Sequence, residues 1–140
     1  MAKMGIGISF IFVLFLVAVT APNLFGSGPI SLNVHKGKVD LTPLGGDWET
    51  VCIIGPYATN EMAKDLTGHA VDIVTQSEIS SSDGIALLIT IHAKDRTTLF
   101  EVSRKNSDFA SLTGTCWPTG TEFHVPTEGW PAVFNPRSKS

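Results

Sequence analysis

Few side chains of this 140-residue chain could do chemistry: four histidines, 13 carboxylates, two cysteines and a short serine run. A metal centre or a metal-bound base needs ligands at short, fixed spacing. His35, His69, His92 and His124 form no H-x-x-x-H or H-E-x-x-H pair and no close motif with either cysteine. Ser80-Ser81-Ser82 beside Asp83 has no histidine near it and reads as a polar turn rather than an activated nucleophile. The G-x-S-x-G elbow is absent, and Gly45-Gly46 lacks the lysine and helix of a phosphate loop. No calcium-loop pattern occurs, and dispersed carboxylates cannot be paired into a glycosidase-type acid couple from sequence. No cofactor or metal is therefore expected, and the chemistry points away from an enzyme.

Cys52 and Cys116 are the remaining reactive pair. Their spacing is far from a C-x-x-C redox or zinc motif, and an even pair in an exported chain favours a disulfide. Export is indicated by the N-terminus, where Met1-Ala2-Lys3 is followed by the uncharged, mostly apolar run Gly5–Ala21. Residues 1–28 thus read as a signal peptide or an N-terminal membrane anchor. Val19-Thr20-Ala21 suits signal peptidase, but Pro22 just after it hinders cleavage there and moves the expected cut to Gly26 or Ser27. As an uncleaved helix the run would rise roughly 26 Å, slightly short of a bilayer core of about 30 Å. Either outcome leaves residues 29–140 extracytoplasmic, periplasmic or secreted, with membrane contact only through an uncleaved leader.

Residues 29–140 carry nine basic side chains against 13 carboxylates, a formal charge of −4, which argues against nucleic acid as a partner. Their apolar content suits one globular domain with an irregular C-terminal tail.

These residues must be positioned by the elements that the local pattern predicts. Ile30–Leu41 alternates as a short hairpin, and Trp48–Ile54 is a strand whose Val51-Cys52-Ile53-Ile54 is apolar on both faces. Thr59-Asn60-Glu61 opens a short helix that places Met62, Ala63 and Leu66 on one stripe and stops at Gly68. Val71–Ile79 reads as a strand, Ile85–His92 and Thr97–Ser103 as a hairpin, and Asp108–Leu112 as a helical turn. Thr115–Trp117 and Thr121–Val125 are weaker strands. The order predicts an α+β fold: one antiparallel sheet of about five strands packed against one short helix, stapled by a disulfide.

A two- or four-residue loop at Lys94-Asp95 would set Leu87 opposite Val102, Ile89 opposite Phe100 and Ile91 opposite Thr98 on a core face. Leu88, Thr90 and His92 would then share the other face with Glu101, Leu99 and Thr97. In that register Glu101 stands four residues from His92, roughly 13 Å, too far for a dyad. This second face has the mixed composition of a non-obligate interface. Trp117 is expected to pack on the disulfide. Trp130 and Phe134 are unusual for a tail, and either dock it or bind something else.

The expected function is a small non-enzymatic domain that binds another protein, in an inhibitor-like or neutralising role. Leu88, Thr90, His92, Leu99, Glu101, Trp130 and Phe134 are its candidate contact residues. A small hydrolase of an envelope polymer and a structural envelope component are the alternatives.

Overall fold

The computed structural model describes residues 28–135, so the choice between cleaved signal and anchor lies outside the described residues. No helix among the described residues is long and apolar enough to cross a membrane. The elements in chain order are β1 (Val34–His35), β2 (Lys38–Val39), β3 (Trp48–Ile54), α1 (Asn60–Thr67), α2 (Ile73–Gln76), β4 (Ile85–His92), β5 (Thr97–Ser103) and β6 (Thr115–Pro118). Single 3-10 turns lie at Thr42–Leu44, Ala93–Asp95 and Phe109–Leu112. The main sheet is antiparallel and has four strands, not five, in the order β5-β4-β3-β6; β1 and β2 pair separately. The mixed α+β class and the Cys52–Cys116 disulfide are as expected.

The local signals for α1 act as read. Thr59 accepts a hydrogen bond from the Met62 amide, and Gly68 closes the helix in the left-handed conformation with its N–H on Lys64 O. The buried side of α1 is Ala63 and Thr67 with half-buried Leu66, while Met62 is exposed, so the expected stripe is rotated by about one residue. Val71–Ile79 is not a strand. Asp72 caps α2 by accepting from Thr75 N–H, and Asn60 Oδ1 accepts the Ile73 and Val74 amides. Those side chains satisfy the helix start that a β ladder would have left to a neighbouring strand.

The largest departure is register. Ile91 pairs with Thr97, Ile89 with Leu99, Leu88 with Phe100 and Leu87 with Glu101, one residue away from the expected alignment. The loop contains three residues, Ala93-Lys94-Asp95, closed by the His92 N–H on Arg96 O, and Lys94 and Asp95 both adopt positive φ. An odd loop reverses which residues of the returning strand share a face with β4. Leu99 and Glu101 therefore join Leu87, Ile89 and Ile91 on the helix side, and Phe100 and Val102 join Leu88 and Thr90 on the other.

Both faces of the sheet are core. Cys52, Ile54, Ile85, Leu87, Ile89 and Leu99 pack under α1 and α2. Val51, Ile53, Ala86, Leu88 and Val102 pack under Leu32, Val39, Phe109, Phe123 and Val133 from the N-terminal hairpin and the C-terminal segment. Phe123 meets Phe109 and Trp117 edge-on, at centroid separations of 5.5 and 6.2 Å. Cys116 is the register partner of Cys52 and belongs to the helix side, with Sγ 3.7 Å from Leu66 O. Trp117, next in the strand, must point to the opposite face, so it packs on Phe123 and not on the disulfide. Thr121–Val125 is no strand; it contributes single bridges through His124 to Lys38 and Phe134.

Candidate functional site

The seven residues expected to form one contact surface are divided among three places. Leu88 and Thr90 have no exposed surface and His92 only 6%. The face they were expected to offer is covered by the hairpin and the C-terminal segment. Leu99 is buried under the helices on the other face, and Glu101 beside it accepts the Glu78 amide at 2.6 Å. Trp130 and Phe134 are exposed, at 64% and 49%.

The C-terminal segment is held by Asp108, which the sequence reading did not single out. Asp108 N–H donates to Pro131 O at 2.7 Å and its carbonyl accepts from Val133 N–H at 2.9 Å, so residues 131–133 run as a bridge beside it. Val133 is thereby placed in the core at 1% exposure. The Asp108 carboxylate is buried and accepts four hydrogen bonds: Arg104 Nε at 2.7 Å, an Arg104 terminal nitrogen at 3.0 Å, the Ala110 amide at 3.0 Å and the Trp130 indole N–H at 2.7 Å. Burial by itself would raise the carboxyl pKa. The bonds from Arg104, Trp130 and Ala110, with the guanidinium charge, outweigh it and leave the pKa below the ordinary value. Arg104 also donates to Asp83 O at 2.6 Å, which ties the start of β4 to the same knot. Its pKa is raised, chiefly by the bond to Asp108.

Trp130 is consequently exposed by its ring yet fixed by its nitrogen. Phe134 is fixed on both sides by exchanging backbone hydrogen bonds with His124 at 2.7 and 2.9 Å, and its ring stacks on the imidazole at 6.1 Å. Tyr57, at the same end of the sheet as Arg104, is a third exposed aromatic, at 62%. Its φ of +63° is strained for a bulky side chain and is held by its N–H on Ile79 O at 2.7 Å. The four-residue spacing of Arg104 and Asp108 was the only sequence sign of the anchor, and nothing local pointed to its union with Trp130.

A second polar cluster lies at the opposite end of the sheet. His92 Nε2 is 3.0 Å from Thr90 Oγ1 and 3.3 Å from Thr98 Oγ1, while Nδ1 is 3.3 Å from Asp47 Oδ1 but off the hydrogen-bond direction. Burial opposes ionisation of Asp47, but the Arg96 hydrogen bond at 2.7 Å and the neighbouring imidazole more than compensate and lower its pKa. Acid, imidazole and hydroxyl in series are the parts of a nucleophilic triad. The nearer hydroxyl, on Thr90, is wholly buried, so no substrate carbonyl can reach it. Beside this cluster lies a surface groove of about 480 Å³ whose lining includes Val39, Leu41 and Trp48 together with His35, Asp40 and Glu122. No group of three or more candidate metal ligands occurs among the described residues.

No known protein family, curated protein or solved structure matches this chain.

Proposed function

We propose that this chain is a small extracytoplasmic, non-enzymatic domain that binds another protein through its C-terminal aromatic segment, Trp130–Phe134. The observation that carries this reading is the Trp130 indole, largely open to solvent while its N–H is tied to a buried, ion-paired carboxylate. Ordering a side chain at an interface costs roughly 0.5–1.5 kcal/mol. Trp130 is ordered before any partner arrives, and aromatic residues of this kind dominate interface energies. The disulfide and the apolar N-terminal run support the extracytoplasmic placement. An inhibitor-like or neutralising role fits a rigid scaffold that presents a few anchors. The hydrolase alternative draws on the Asp47–His92–Thr90 series, and the burial of Thr90 argues against it.

The test is a pull-down from the native envelope fraction with the full chain, followed by affinity measurement on the captured protein. Phe134→Ala removes a ring that, among the described residues, stacks on His124 alone, so it should leave thermal stability nearly unchanged and weaken binding by about 1–3 kcal/mol. Unchanged affinity in both Phe134→Ala and Trp130→Ala would refute the segment. Hydrolysis of an envelope polymer that His92→Ala abolishes would establish the enzyme instead.

A further inference from the structure

Trp130 presents a ring whose donor is already used. Its indole N–H donates to the Asp108 carboxylate at 2.7 Å, and 64% of the residue is open to solvent. Among the described residues no aromatic ring and no cation is stacked on it. The chain before it is open as well, since a Cβ on Gly129 would meet nothing within 4 Å. What the indole still offers a partner is its π face. An N–H bound to a carboxylate passes part of the negative charge into the ring, and tryptophan is already the side chain whose face attracts cations most strongly. The surrounding charge has the matching sign. Residues 119–134 contain Glu122 and Glu128 and neither lysine nor arginine. Glu128 is exposed two residues before Trp130 and makes no hydrogen bond or ion pair with the described residues. Arg104 binds the Asp108 carboxylate and the Asp83 carbonyl, and Lys105 is exposed beside it on the turn. Those two cations stand against the carboxylates of Asp83, Asp108 and Glu128.

We propose that the protein partner of the C-terminal segment lays an arginine side chain flat on the exposed Trp130 ring, an inference that rests on the reading of Trp130–Phe134 as the contact segment. Guanidinium is the cation such a ring selects. It is planar, stacks on an aromatic face and is less strongly hydrated than an ammonium group, so it loses less on leaving water at an exposed ring. Asp108 serves twice: it fixes the indole in place before contact and enriches the face that the guanidinium meets. The contact at a ring this exposed contributes about two- to fivefold in affinity. The partner surface is therefore basic, complementary to the formal charge of −4 on residues 29–140, and its approach is steered by that charge.

The experiment titrates the full chain, its disulfide intact, with the peptide acetyl-Gly-Arg-Gly-Arg-Gly-amide and with the same peptide carrying citrulline, the neutral isostere of arginine, at both positions. Nuclear magnetic resonance follows the Trp130 ring, while the rings of Trp48 and Trp117 report on the fold. The expected result is a saturable shift of the Trp130 ring protons by the arginine peptide, with the citrulline peptide binding at least about twofold more weakly. Added salt should narrow that difference. Trp130→Leu keeps apolar bulk and removes the π face, so the preference for arginine should vanish. Because this variant also gives up the bond to Asp108, Glu128→Gln serves as the second: it should weaken the arginine peptide, leave the citrulline peptide unchanged and leave the Trp48 and Trp117 rings unshifted. Equal affinity for the two peptides would overturn the proposal, as would binding that leaves the Trp130 ring unshifted, no binding at all, or a preference for arginine that both variants retain. The contact segment is decided separately by Trp130→Ala and Phe134→Ala on the captured protein: a loss of affinity there, with the two peptides bound equally, retains the segment and removes only the arginine.

Discussion

Asp108→Asn is the most direct perturbation of the anchor that orders Trp130. The substitution keeps volume and shape. Its amide oxygen can still accept from Arg104 Nε and the Ala110 amide, but its NH2 group then faces the Trp130 N–H and the second Arg104 nitrogen, both donors. Two charge-assisted bonds are lost. Such bonds contribute about 1.5–3 kcal/mol each, and Trp130 and Arg104 retain access to water, which places each loss near the low end. The total is about 3 kcal/mol. With a urea m-value of about 2 kcal/mol/M for a domain of this size, the midpoint should fall by about 1.5 M, at unchanged m and with the disulfide intact. Unfolding followed by far-ultraviolet circular dichroism measures the shift. A midpoint change below about 0.3 M would show that the ion pair contributes nothing net, and the claim that Trp130 is held before binding would fall with it.

Acid should act on the same anchor. The Asp108 pKa is lowered on folding, so its contribution is complete above the unfolded value of about 3.9 and is lost as pH falls through the folded one. Urea midpoints should stay flat from pH 7 to about 5 and drop below about 4, and the drop should be smaller in Asp108→Asn. Replacing both Cys52 and Cys116 with alanine opens a loop of 64 residues in sequence separation and should destabilise by about 4 kcal/mol, read as a fall in melting temperature. Leu88→Ala tests the second core. Burial at 0% predicts a loss of about 2–5 kcal/mol, whereas a solvated sheet face would give almost none.

What the sequence determined by itself was local. Trp48–Ile54, Ile85–His92 and Thr97–Ser103 form strands where β-branched and aromatic residues accumulate, and α1 begins at Thr59 and stops at Gly68 because capping acts within a few residues. The disulfide was legible from residue count and leader. Val51-Cys52-Ile53-Ile54 already implied a strand buried on both sides, whereas the Leu88, Thr90 and His92 side of β4 read as a contact surface and only the fold shows it buried. Tertiary structure decided what depends on parity and on distant partners. One residue in the turn after His92 determined which side chains of β5 share a face with β4, and so whether Leu99 met the helices or the hairpin. The second core required Leu32, Phe109, Phe123 and Val133, four residues from separate segments that no periodicity joins. The candidate site is of the same kind. Trp130 and Asp108 are 22 residues apart, and their hydrogen bond exists because Val133 is drawn into the core and carries the chain past a buried carboxylate. Contacts closed over long stretches of chain are chosen by the energy of the whole packed arrangement, and the sequence around either partner holds no record of the other.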